Sequence, residues 1–303
     1  MTKQLSPQRW ANDLTQLLNT VLGADRFPVN VRDVAKEFSH QRFPHDPITL
    51  VKGASLPGFE GALYRAPDDK KGWGIIYNNA ITSPGRINFT LAHEFGHYLL
   101  HRLEFPDGEK CGQQDFVRWD SEYGQIEAQA NEFAATLLMP LDDFRRQIDA
   151  RAMPHLDDIG ACADRYRVSL IAATLRWLQY TERRSVLVIS REGFILWARS
   201  SEPALRTGAF FRTANRPPIP IPPASLAAQR ECVEGSKGTV DLGAGTWLNE
   251  PCGEMVLFSD QYDFTISLLH LGEAPSRFEL EEEPEEDVVE RMASRTPGSS
   301  WLG

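Results

Sequence analysis

His93, Glu94 and His97 stand within the run His-Glu-Phe-Gly-His, the residues of this chain best suited to chemistry. On an α-helix, side chains four apart project from one face, so two imidazoles at this spacing can share a metal ion. Glu94 lies one residue further round, where it can take a proton from water at the ion instead of ligating it. Zinc suits imidazole donors and lowers the pKa of water to about 7, as hydrolysis at neutral pH requires. Manganese is the second candidate metal. A pattern this short also arises by chance on core helices, so a third ligand has to decide.

His101 continues the series at i+8. On a straight helix it lies about 12 Å along the axis from His93, too far to share the ion, and packing or capping is its expected role. Glu127 opens a downstream helical segment, EAQANEFAATLLMP, and is the candidate third ligand. Two histidines and a carboxylate with an open position make a catalytic site, whereas structural zinc sites are closed and cysteine-rich. The competing reading of Glu127 is a surface carboxylate near a helix N-terminus. Asn131, one turn on, would orient a ligand histidine. Cys111 lies between the two helices and is a candidate inhibitory fourth ligand, since thiolate binds zinc strongly. The simpler reading is a loop thiol with no role. Tyr64, Tyr77 and Tyr98 are candidates for stabilising the oxyanion of peptide hydrolysis.

Several elements must position these residues. Trp10, Leu14, Leu17, Leu18 and Val21 recur at helical spacing, and Val31–Phe38 reads as a second helix. Gly58–Tyr64 and Trp73–Tyr77 read as paired strands. Helices follow at Ile87–Leu103 and Gln125–Leu138, with the polar stretch Glu104–Tyr123 between them, and Pro140 stops the second. Three more are expected at Leu141–Arg151, Leu156–Arg165 and Ser169–Thr181. After Arg183 the pattern turns to strands (VLVIS, GFILWA, EMVLF, FTISLLHL) around a Pro-rich and a Gly-rich connection. The expected fold class is α+β, a mainly helical peptidase unit over 1–182 and a smaller mixed β unit over 183–274. The remainder, 275–303, contains ELEEEPEEDVVE and is expected to stay solvated and mobile.

The segments RINFTLAHEFGHYLLH, IEAQANEFAATLLMP and YRVSLIAATLRWL, in this order, resemble the ImmA/IrrE family of bacterial metallopeptidases. FPVNVRDVAKEF and GFEGALY fit the same resemblance, which covers about residues 10–182. The C-terminal region resembles the GAF-like sensor domain of some members. The resemblance implies a gluzincin-like, zincin-type fold with His93, His97 and Glu127 as metal ligands and Glu94 as general base and acid. It further implies a helix-turn-helix repressor as substrate, whose cleavage releases transcription of a stress or phage-defence operon. Single-stranded DNA is an implied activator. Many members carry an acidic residue where this chain has Gln129, so here one carboxylate alone fits the ligand role.

Bulk properties set outer limits. The chain has 303 residues, 42% hydrophobic and 24% charged, with a net charge of −10. That balance is ordinary for a water-soluble globular protein and disfavours whole-surface attraction to nucleic acid. No apolar run approaches the roughly 20 residues needed to cross a bilayer, and the N-terminus lacks a secretory signal, so a cytoplasmic protein without membrane partners is expected. The four cysteines are scattered, which argues for free thiols. Arg183, Arg184, Arg191, Arg199, Arg206, Arg212 and Arg216 stand among Phe194, Trp197, Phe210 and Phe211, a mixture suited to single-stranded nucleic acid or to an ordinary solvated face. The stretch HLDDIGACADRYRVSLIAATLRWLQ has the turn of a DNA-binding motif, but its second helix offers few base-reading side chains and is expected to be structural support. Two rival classes stand beside the peptidase: a DNA-binding regulator, and a protein that sequesters a repressor without cutting it.

Overall fold

A computed structural model describes residues 5–67, 71–104, 108–112, 122–214, 216–230, 235–259 and 263–274. Helix α1 (Pro7–Leu22) starts where the Ser6 hydroxyl accepts from the Arg9 amide and Pro7 takes the first turn. Helix α2 (Val31–Arg42) is capped in the same way by Asn30. A four-stranded sheet follows, made of β1 (Ile48–Ala54), β2 (Phe59–Arg65), β3 (Trp73–Asn78) and β4 (Gly108–Gly112) in the order β1-β3-β2-β4. β1 runs parallel to β3, and β2 is antiparallel to both β3 and β4. Val51, Leu63, Trp73 and Ile75 fill its inner face.

Against that face lies α3 (Pro84–Leu100), and beside α3 lies α4 (Glu122–Leu138). Helices α5 (Leu141–Gln147), α6 (Leu156–Tyr166) and α7 (Leu170–Leu178) complete the helical part. Asp143 of α5 is buried and accepts two bonds from the Arg165 guanidinium, at 2.8 and 3.1 Å, and one from the Tyr166 hydroxyl at 2.7 Å, which joins α5 to α6. Ile159, Ala173, Trp177 and Leu178 are buried in the core, so α6 and α7 support the fold as expected. No helix among the described residues is long and apolar enough to cross a membrane.

The second sheet has the order β7-β6-β5-β10-β9-β8 and is antiparallel throughout. Its strands are β5 (Ser185–Arg191), β6 (Phe194–Ser200), β7 (Ile219–Pro220), β8 (Lys237–Leu242), β9 (Cys252–Ser259) and β10 (Phe264–Leu271), with a short helix α8 (Glu202–Arg206) after β6. Alternation sends Leu187, Ile189, Met255, Ile266 and Leu268 into the core of the helical part, while Val186, Val188, Val256 and Leu269 face a second cluster with Ala204, Ala227 and Trp247. His270 clamps the joint. Its ring lies 5.6 Å from that of Trp177, and its nitrogens meet Ser185 Oγ at 2.8 Å and the Pro154 carbonyl at 3.2 Å. On the other face the buried Glu254 accepts from the Leu226 amide at 2.8 Å and the Ser267 hydroxyl at 3.2 Å. Cys162 in α6 and Cys252 in β9 are buried free thiols, and burial pushes each up to about 11.

The α+β class is observed, with several differences in detail. The helix that carries His93 and His97 runs three residues earlier than Ile87–Leu103, because Ser83 caps it and Pro84 takes its first turn. β4 lies within a stretch expected to be a loop, and β1, β8 and α8 carry too few alternating apolar residues to announce themselves. The acidic tail lies outside the described residues.

Candidate metal centre

Helix α3 is buried from Thr90 to Leu100. β2 and β3 cover one side and α4 another, so polar groups at positions 93, 94 and 97 are held away from bulk water. Two glycines make this packing close. A Cβ on Gly96 would stand 3.0 Å from the Phe133 ring and 3.3 Å from the Ala130 Cα, so α4 crosses α3 at a glycine. A Cβ on Gly61 of β2 would come within 2.5 Å of Glu94 Oε1. Neither glycine was among the expected site residues. Gly96 sits inside the His-Glu-Phe-Gly-His run and Gly61 inside GFEGALY, and only tertiary packing gives them meaning.

The crossing brings Glu127 onto the two histidines. His93 Nε2 lies 3.2 Å from Glu127 Oε2, His97 Nε2 lies 3.2 Å from Glu127 Oε1, and the two Nε2 atoms are 3.0 Å apart. A tetrahedral zinc with bonds of about 2.0–2.1 Å holds its ligand atoms about 3.3 Å from one another, so this triangle has the size that a zinc ion needs. Both Nδ1 atoms are turned away and occupied. His93 Nδ1 meets Asn131 Oδ1 at 3.0 Å, in the orienting position expected for Asn131. His97 Nδ1 meets His101 Nδ1 at 3.1 Å, and His101 Nε2 meets Gln129 Oε1 at 3.1 Å.

His101 is therefore more than filler. It is the C-cap residue of α3, only 3% exposed, and its side chain touches a candidate ligand rather than the candidate ion. The electrostatics agree with a cation site. Burial pushes the Glu127 carboxyl up, but the imidazoles of His93 and His97 bonded to it outweigh burial and hold it below the usual range. Burial, against the pull of Glu127, lowers His97 to about 4. Burial also lowers His93, but Glu127 and Glu94 overcome it and the net direction is upward. A metal cation at that point would serve the same carboxylates.

Glu94 is fully buried on the same helix, next to the histidines and under Gly61. The tyrosines are arranged differently from expectation. Tyr98 belongs to the core: its hydroxyl donates to the Asp46 carbonyl at 2.6 Å and its ring packs against Phe43, Trp73 and Phe95. Tyr64 takes the face of β2 opposite to Gly61 and Leu63, its ring over Gly74. Tyr77 shares the face of Gly61, but its hydroxyl accepts from the Arg32 guanidinium of α2 at 3.2 Å. For Tyr98 and Tyr64 this corrects the oxyanion assignment, since one hydroxyl is committed to a core carbonyl and the other ring is across the sheet. The Cys111 backbone pairs with Gly61 in the β2–β4 ladder, and its side chain lies outside the described residues.

Residues 49–178 match the model of the IrrE N-terminal-like domain, Peptidase_M78. This span contains both histidines, both glutamates and, apart from Ile48 at the start of β1, the four strands of the first sheet. No curated protein matches the chain.

Proposed function

The chain carries a metallopeptidase domain of the ImmA/IrrE family, and from that premise we propose that it is a zinc-dependent endopeptidase that cleaves a helix-turn-helix repressor. The observation that carries the metal reading is the convergence of His93 Nε2, His97 Nε2 and Glu127 on one point, within 4.8 Å of one another. A zinc ion held there would supply Lewis acidity to the scissile carbonyl and to water. Glu94 would accept the proton of the attacking water and return it to the leaving amine, work for which its burial beside the ligands suits it. Asn131 and Glu127 would keep the imidazoles facing inward throughout.

The regulatory part of the proposal rests on the family and on the second sheet. That sheet shares a core with the helices, so a ligand there would bear on the peptidase. As a GAF-like sensor it would take single-stranded DNA on Arg191, Phe194, Leu196 and Arg199, which are exposed around the β5–β6 hairpin. Arg184 is not available for this, being buried and paired with Glu250. Cys111 as an inhibitory fourth ligand completes the proposal, with Cys111→Ala as its probe.

The test mixes the purified protein with the helix-turn-helix protein of the adjoining gene, with and without single-stranded DNA, and identifies fragments by mass spectrometry. Wild type is expected to cut at one bond. Glu94→Gln should keep its zinc and lose cleavage by about 100-fold or more. Turnover by Glu94→Gln at the wild-type rate would sink the mechanism. A stable complex with intact substrate would favour sequestration, and a metal-independent band shift with duplex DNA would favour a DNA-binding regulator.

A further inference from the structure

We infer that His101 and Gln129 form a positioning relay that fixes the tautomer of His97 and so makes its Nε2 a ligand. The inference rests on the metal reading of the site but not on proteolysis. It follows from counting hydrogens along the chain Gln129 Oε1, His101 Nε2, His101 Nδ1, His97 Nδ1. An amide oxygen has no hydrogen to give, so the 3.1 Å bond to Gln129 places the hydrogen on His101 Nε2. Neutral His101 then has a bare Nδ1, which can only accept. The 3.1 Å bond between the two Nδ1 atoms must therefore be donated by His97. With an ion bound, that leaves the His97 Nε2 lone pair to ligate it at the point where His93 Nε2 and Glu127 Oε1 also converge; without the ion, the Glu127 carboxylate competes for a hydrogen on that same nitrogen.

The order is directional. Were the amide turned so that its NH2 met His101, every hydrogen would shift one place and His97 would present Nε2–H to the site, which cannot ligate. A metal at the centre and an acceptor at position 129 thus require each other. His93 reaches the same outcome in one step, through Asn131 Oδ1 at 3.0 Å. His97 cannot be served this way. His101, one turn on along α3, stands between it and α4 and is 97% buried on the relative scale that leaves it 3% exposed. The i+8 histidine is too distant to bind the ion, and its place in the site is to orient the one that does.

Position 129 is exposed, so substitutions there probe the relay without opening the core. Gln129→Glu keeps an acceptor, and Gln129→Leu removes it. Two readouts apply: zinc affinity by competition with a chromophoric chelator, and, in the zinc-loaded protein, the exchange rate of the His97 Nδ1 hydrogen by 1H–15N NMR. Wild type and Gln129→Glu are expected to keep that hydrogen bonded and slow to exchange, and to bind zinc equally well or tighter in the variant. Gln129→Leu should speed the exchange and weaken zinc by about tenfold, the lower end of the usual effect of losing such a partner. His101→Phe should do the same, with its fold checked by circular dichroism. A fast-exchanging His97 Nδ1 hydrogen in the zinc-loaded wild type, or an unchanged exchange rate and zinc affinity in Gln129→Leu, would overturn the relay. Failure of wild type to bind zinc would instead remove the metal reading on which the relay rests.

Discussion

Glu94 and Gly61 approach so closely that neither can change without the other. A methyl group at position 61 would stand 2.5 Å from Glu94 Oε1 and 2.6 Å from Thr90 Cγ2, both far inside van der Waals contact. Gly61→Ala is expected to displace the Glu94 carboxylate while sparing the ligands. The outcome is a loss of about 100-fold in kcat, the usual cost of a 1 Å misplacement, with zinc content unchanged by elemental analysis. Tyr98 gives the opposite expectation. Its hydroxyl serves the Asp46 carbonyl, so Tyr98→Phe should lower stability by about 1 kcal/mol in a denaturant titration and leave kcat intact. A fall in kcat of about 100-fold would instead return Tyr98 to the oxyanion. At this scale the sequence was informative where spacing alone carries the geometry: His93, Glu94 and His97 follow from helical periodicity. Gly61, Gly96 and the role of His101 did not follow, because each depends on which neighbour the fold brings up against it.

The paired helices α3 and α4 are the elements on which the site stands. Both were legible, α3 from its apolar run and α4 from EAQANEFAATLLMP ended by Pro140. Their crossing was not, since it is set by Gly96 against Ala130 and Phe133, a contact between segments far apart in the chain. The same holds for α5 and α6, which were read as separate helices but are joined through Asp143. Removing that carboxylate leaves the half-exposed Arg165 guanidinium and the buried Tyr166 hydroxyl without their charged acceptor, so Asp143→Asn should cost about 2 kcal/mol at neutral pH. Burial acts to raise the Asp143 pKa, but Arg165, Tyr166 and Arg146 outweigh it and hold it below its ordinary 3.8. A depressed carboxylate stabilises the fold above its unfolded pKa and loses that contribution as pH falls through the folded one. The gap between wild type and Asp143→Asn should therefore be full above about pH 4 and close below it, as thermal melts across pH 2–7 would show. A gap that persists unchanged at pH 2 would assign the stability to packing instead.

At the scale of the whole molecule, a change of pattern near residue 183 was plain in the sequence, and the sheet does begin at Ser185. The union of the two parts was hidden there. Alternation within VLVIS and FTISLLHL says that both faces are apolar, not that one face belongs to the helices. With Leu187, Ile189, Leu268 and Trp177 in a single core, the family match ending at residue 178 does not mark a folding boundary. A chain cut after residue 182 would expose Trp177 and lose the His270 clamp.

Cys162 and Cys252 turn that union into something that can be timed. One thiol lies in the helices and the other in the sheet, and with each pushed up to about 11 almost no thiolate is present at neutral pH in the closed protein. Alkylation must wait for an opening event, so each cysteine acts as a clock for the part that buries it. Followed by peptide mapping under slow labelling, the two clocks should run at one rate, set by the opening of the entire structure. If Cys252 runs ahead, the sheet can leave the helices while they stay folded, and a ligand gripping the sheet would have a movable part to act upon.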